Sequence, residues 1–255
     1  MSNATLPLNP HRAVGVGDPE RPSQVRQDRL PAAYLLISPS GVLYDDTLWW
    51  RWLLQMLSRF GLHMDAGAFT ALWQYEHYDD VCCGQREFFD ALRDFLITCG
   101  MHSGQIDELF AAGRLHWKRL ELDLRGFPQN NQALASLSSD GWRMGLLVHG
   151  PLPKHEAQAQ LQRMGILPYF EHVIYSGEMS SGLTQAPAWS AVLGQINVAP
   201  DAVAYVAHER SLLSPAKQNG LTTVAFQCAG AAADYQVRQL GDLAGLSDAP
   251  CLQAA

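Results

Sequence analysis

Between residues 143 and 226 the chain alternates short apolar runs with helical segments, and this alternation limits its fold more than any other feature. Residues 143–148, 172–175, 202–206 and 221–226 are runs of four to six residues, each rich in Val, Ile, Leu, Ala, Tyr or Phe. Strands apolar on both faces belong in a parallel sheet covered by helices on both sides. The intervening segments supply the helices. One spans 154–164 and closes at Gly165, where a left-handed cap is expected. Another spans 187–196 with Pro187 in its first turn, and a third spans 214–219 and ends at Gly220. An earlier run, Ala33-Tyr34-Leu35-Leu36-Ile37, is bounded by Ser-Pro-Ser-Gly and reads as one more buried strand; residues 131–138 read as a helix. The pattern predicts an α/β protein built on a doubly wound parallel sheet.

The sheet pattern is interrupted after its first strand. Residues 47–121 are helical in character, with breaks at Gly61-Leu62-His63, at Cys83-Gly84 and at Gly100 to Gly104, giving about four helices; Ser103 with Gln105 and Asp107 marks a helix entry. The expected organisation is a disordered leader over 1–30, an α/β core formed by 31–46 and 122–255, and an inserted helical unit over 47–121. The segment Leu48-Trp49-Trp50-Arg51-Trp52-Leu53-Leu54 is apolar on nearly every side. It suits a helix buried between the inserted unit and the core, or a partner or homodimer face rich in Trp. The acidic and aromatic stretch from Tyr75 to Asp80 suits a solvated helix end or a cleft wall.

Charge and cysteine usage narrow the function classes. A formal net charge of −7, with no run of Lys and Arg, argues against general binding to nucleic acid or anionic membranes, which would repel the chain. No apolar stretch is long enough to span a bilayer, and the polar, Pro-bearing first thirty residues lack the apolar core of a secretory signal. The five cysteines, Cys82, Cys83, Cys99, Cys228 and Cys251, show no zinc-type spacing; adjacent Cys82 and Cys83 read as reduced thiols near a helix start. Together these features predict a cytoplasmic protein.

In a sheet of this kind, ligands bind beyond the carboxyl ends of the strands, and the residues there carry a family resemblance. Ile37-Ser38-Pro39-Ser40-Gly41-Val42-Leu43-Tyr44-Asp45 resembles Asp-x-Asp-Gly-Thr/Val-Leu-x-Asp, the first motif of the haloacid-dehalogenase-like (HAD) hydrolases. Residues 144–150 resemble the second motif, 176–184 the stretch leading to the family's lysine, and 205–209 with 216–220 the fourth motif. The resemblance runs from about residue 33 to 230, and the block 47–121 resembles the family's C1-type cap. It implies a Rossmann-like α/β core with a helical cap.

The same resemblance locates the departures. The nucleophilic and metal-binding Asp of the first motif is Ser38 and its acid/base Asp is Ser40. The phosphate-holding Ser or Thr is Val148, the lysine falls at Leu183, and the acidic metal ligands fall at His208 and, across a one-residue gap, Leu212. These substitutions remove the hard oxygen ligands that magnesium requires and the charge-assisted donors that a phosphate requires. The sequence therefore predicts a site stripped of formal charge, and a catalytically inactive pseudoenzyme that binds a small ligand or a protein partner, with no cofactor. The first alternative is an active hydrolase, phosphatase or dehalogenase-like, with magnesium and unorthodox residues; the second is a structural dimerisation protein. His149 and His208 flank the serines, so Ser38 with a His and Glu209 could form a nucleophile–base pair, or His149, His208 and Glu209 could bind a transition metal. Hydrogen-bonded polar groups at a cleft rim are the plainer reading. Asp45, with Asp46 beside it, is expected to cap the following helix.

Overall fold

The computed structural model describes residues 32–246; the expected leader, the Ala-rich tail and Cys251 lie outside them. The core is a six-stranded sheet, with β1 (Tyr34–Ile37), β2 (Arg143–Val148), β3 (His172–Tyr175), β4 (Val203–Ala207), β5 (Thr222–Phe226) and β6 (Tyr235–Val237). Their order across the sheet is β3-β2-β1-β4-β5-β6 and every pairing is parallel. Strand β6, three residues long, extends the sheet beyond the five strands read from the sequence.

Every residue of β1 and β4 is buried, as strands covered on both faces must be. Side chains alternate between the faces. Leu35, Ile37, Met144 and Leu146 pack under Leu134 and Leu137 of α6 (Asn130–Ser139) and Leu161 of α7 (Lys154–Arg163). Tyr34, Leu36, Leu147 and Tyr205 pack under Trp189 and Val192 of α8 (Ala186–Ile196) and Leu212 and Leu213 of α9 (Arg210–Gln218). Gly145 in mid-β2 exists for close packing: a Cβ there would lie 2.4 Å from the Tyr34 hydroxyl, which sits 2.9 Å from His172 Nδ1.

The inserted segment folds as α1 (Thr47–Arg59), α2 (Ala66–Trp73), a π-helical turn (Gln74–Tyr78), α3 (Asp79–Cys82), α4 (Phe88–Thr98) and α5 (Ser103–Asp123). The breaks fall where the glycines predicted. Helix α5 is entered through His102, with a capping box to Gln105, one residue before the Ser103 expected. Cys82 and Cys83 close a short helix rather than start one, and the four described cysteines are free. The block has its own core, including Trp49, Leu53, Phe69, Trp73, Phe88, Phe95 and Phe110. Trp49 is buried there, and Trp52 stacks on His116 with ring centroids 4.8 Å apart, so these indoles are engaged in packing within the block. Among the described residues no helix is long and apolar enough to cross a membrane.

Candidate functional site

The chain runs from β1 outward through β2 to β3, then returns to the other side of β1 for β4 to β6. The switch therefore lies between β1 and β4, where a crevice opens at the carboxyl ends of the strands. Three loops meet there: residues 38–46 after β1, 149–153 after β2 and 208–209 between β4 and α9. Gly41 lets the first approach the third. Its φ is 69°, a left-handed backbone conformation, and a Cβ would lie 2.7 Å from the His208 Cβ.

The helical block closes over this edge through four polar links. Gln74 Nε2 donates to Glu209 Oε1 at 3.3 Å, Thr184 Oγ1 donates to Asp79, Ser176 Oγ donates to the Cys82 carbonyl at 2.6 Å, and Gln85 Nε2 donates to the Ser180 carbonyl at 2.9 Å. The π-helical turn helps to seat this contact. It leaves Tyr75 89% exposed while Tyr78 faces inward, edge-on to His149 with ring centroids 5.2 Å apart. The acidic and aromatic stretch is thus a cleft wall on one side and a solvated surface on the other.

The residues singled out from the sequence fare differently. Ser38 is buried, and its amide is held by the Val206 carbonyl at 2.9 Å. Ser40 Oγ donates to the Asp46 carboxylate. Asp45 precedes Asp46, which holds the N-cap position of α1; the Asp45 carboxylate accepts from the Thr47 amide at 2.9 Å and from Arg51 at 2.7 Å. Burial works to raise its pKa, but these donors bring it below the ordinary carboxylate value. Val148 is half-buried in the cleft wall. Leu183 and Leu212 point away from the crevice into the core beneath α8 and α9.

The nucleophile–base arrangement does not form. His208 Nδ1 donates to the Phe226 carbonyl at 3.0 Å, so its hydrogen bond leads away from Ser38. Glu209 Oε1 accepts from Ser211 at 2.6 Å. His149 is 6% exposed and both its ring nitrogens lack a partner. Burial pushes its pKa down to about 4, so the ring is neutral at physiological pH.

The expectation of a site without formal acid is corrected. The replaced positions supply none, but Asp46, Asp79 and Glu209 converge from a loop, the helical block and the β4 edge. Burial pushes Glu209 up to about 7, with Ser211 opposing and Asp46 and Asp79 reinforcing the shift. Burial also holds Asp46 above the ordinary carboxylate value, against the Ser40 hydrogen bond; it remains open to solvent at the cleft mouth. Sequence reading missed Gln74, which nothing local marks; Tyr78 and Asp79 fell within the acidic and aromatic stretch read as a helix end or a cleft wall, and the Asp46 side chain was visible but treated as a neighbour of the cap.

These residues do not fit magnesium. Ser38 and Ser40 are neutral, Asp46 is bonded to Ser40, and one Glu209 oxygen already accepts two hydrogen bonds. Among the described residues no set of three or more His, Cys, Asp or Glu side chains is placed to hold a metal ion.

Two adjoining cavities occupy the cleft. The smaller, about 130 Å³, lies beyond β1 and β2 and is lined by Ser40, Asp46, Trp50, Tyr78, Trp117 and His149 among others. The larger, about 620 Å³, is lined by Arg86, Arg114, Lys118, Lys154 and three glutamates as well as apolar groups. Three of its four cations are engaged: Arg86 pairs with Asp94, Lys154 with Glu178 at 2.8 Å, and Arg114 lies 4.1 Å from the Phe89 ring centroid.

No protein-family profile matches the chain, and no curated protein sequence does. Solved structures do. A HAD-superfamily hydrolase of subfamily IA from Geobacter sulfurreducens matches with a TM-score of 0.59 at 13% identity, over 87% of this chain and 99% of that one. A protein described as a predicted phosphoglycolate phosphatase from Haemophilus somnus 129PT matches with a TM-score of 0.61 at 11% identity, over 85% and 98%. The L-2-haloacid dehalogenase from Xanthobacter autotrophicus matches with a TM-score of 0.57 at 18% identity, over 84% and 98%. At these identities the likeness shows the fold: the chain has the HAD-type α/β fold that its strand-end motifs suggested.

Proposed function

We propose that this chain uses the HAD-type fold as a binding module, with residues 47–121 acting as a C1-type cap over a core of residues 31–46 and 122–255, and that its cleft holds a small ligand without turning it over. One observation carries the reading: the positions that the resemblance assigns to catalysis supply neither nucleophile nor cation to the cleft. Ser38 is a buried serine without a base on its hydroxyl, and Leu183, where the lysine would stand, is fully buried in the core. Phosphoryl transfer is catalysed almost wholly by positioning and by stabilising charge. The smaller cavity has acid and aromatic walls, and so offers a dianion repulsion in place of donors. The four free cysteines suit a reducing, cytoplasmic setting.

One observation favours hydrolysis as a second reading. A carboxyl group brought to about 7 is poised for general acid–base work, and Glu209 has that property. Both readings meet in one experiment. Purified chain is incubated with p-nitrophenyl phosphate, acetyl phosphate or 2-chloropropionate, with and without magnesium. The binding-module reading expects release of nitrophenol, phosphate or chloride at the rate of the protein-free control. Turnover that is lost in Ser38→Ala or Glu209→Gln overturns it in favour of the hydrolase.

A further inference from the structure

The smaller cavity has a charge and shape of its own. Trp49, Trp50, Phe88 and Trp117 form its helical side, Tyr78 and His149 lie against the sheet edge, and Asp45 and Asp46 stand at its mouth. Among the described residues its lining includes no lysine or arginine. The two acids are not equivalent. Asp45 is matched by Arg51 and by both donors of Thr47, whereas Asp46 has the Ser40 hydroxyl and no ion pair among the described residues.

The aromatic side is built before any ligand arrives. Trp49 and Trp117 meet at 4.8 Å and 70°, Phe88 and Trp117 at 5.1 Å, and Trp50 and Phe88 at 6.1 Å and 71°. Each ring is held by its neighbours, so little ordering remains for binding to impose. Aromatic faces carry negative potential and attract cations. His149 lies in the same wall, more than nine-tenths buried, and neither ring nitrogen has a hydrogen-bond partner among the described residues. Buried polar groups are nearly always hydrogen-bonded. For size, an apolar cavity of about 150 Å³ holds one benzene ring, which is close to the volume here.

We propose that this cavity binds a small organic ammonium, its ring or branched apolar body against Trp50, Phe88 and Trp117 and its ammonium group on Asp46. The assignment rests on the binding-module reading and names that module's ligand class. Any larger part of the ligand extends into the adjoining 620 Å³ cavity, which shares Phe88, Trp117 and Val148 with it.

The test uses the full chain and three probes of one shape. Benzylammonium, benzyl alcohol and benzoate are titrated separately, followed by tryptophan fluorescence and calorimetry. Benzylammonium is expected to saturate, with benzyl alcohol at least about tenfold weaker and benzoate weaker still. Asp46→Asn is expected to weaken benzylammonium by about tenfold and to leave benzyl alcohol unchanged. Equal binding of amine and alcohol, tighter binding of benzoate, or no saturation by any probe at about 10 mM overturns the proposal. Should Asp46→Asn melt far below the parent chain, the three-probe series on the parent chain decides alone. Turnover of p-nitrophenyl phosphate would overturn the binding-module reading without altering the order of the three probes, so the two failures are distinguishable.

Discussion

Glu209 offers a quantitative check on the electrostatics of the cleft. Its carboxyl is moved from an ordinary 4.5 up to about 7, first by burial and then by Asp46 and Asp79. Below 4.5 the group is protonated both folded and unfolded, and it costs nothing. Between 4.5 and 7 the unfolded chain releases the proton while the native chain keeps it, so stability falls as pH rises; above 7 the cost is complete. The displacement corresponds to roughly 3 kcal/mol. Glu209→Gln keeps an oxygen for Ser211 and Gln74 but cannot ionise. The variant is therefore expected to match the parent at pH 4 and to exceed it by roughly 3 kcal/mol at pH 8. In a domain of this size that is a rise in melting temperature of roughly 6–12 °C. Urea melts of both chains at pH 4, 6 and 8 measure it. A difference that does not change with pH, or a variant less stable at pH 8, would refute the claim that Asp46 and Asp79 crowd a buried acid.

His149 carries the opposite sign. Burial holds its pKa near 4, so its stabilising neutrality is complete above about 6.5 and is lost as pH falls towards 4, at a cost of roughly 3 kcal/mol. His149→Phe, which keeps a ring against Tyr78, is expected to gain on the parent steadily as pH falls from 7.5 to 4 in denaturant melts; a constant difference would count against it. Leu183→Lys puts a lysine at the position where the motif resemblance would have one, and forces an ammonium into the core. A loss of roughly 3 kcal/mol or more and no gain in phosphate-ester turnover are expected, and a stable variant with turnover would show that the position faces the cleft. Gly145→Ala is expected to cost roughly 1–3 kcal/mol through the Tyr34 hydroxyl. Tyr34→Phe in the same chain should return part of that loss in thermal melts, and no recovery would place the strain elsewhere.

How much of this could be read from the sequence depends on range. The strands were legible because each of β1 to β5 is a short apolar run closed by turn residues, and the doubly wound order follows from such a pattern. Strand β6 escaped because Tyr235-Gln236-Val237 is too short to show a period. The first-strand motif correctly placed Ser38, Ser40 and Asp45 at one loop. It could not show that Leu183 and Leu212 turn into the core, since an apolar residue after a strand fits either side. Reading replacements position by position also implied an uncharged site. The carboxylates that populate it come from Asp79 in the helical block and Glu209 after β4, about 130 residues apart in sequence, and only the folded chain brings them to Asp46. The π-helical turn that sets Tyr78 over His149 has no composition signal of its own.

The central claim is that the cleft is built for neither magnesium nor a phosphoryl group. Melting of the full chain with magnesium and orthovanadate, an analogue of the phosphoryl transition state, tests it most directly, because any ligand that prefers the native state must raise the melting temperature. The account predicts no shift up to about 10 mM of each, a concentration that would reveal binding of millimolar affinity. A saturable rise that requires both components and disappears in Ser38→Ala would contradict it.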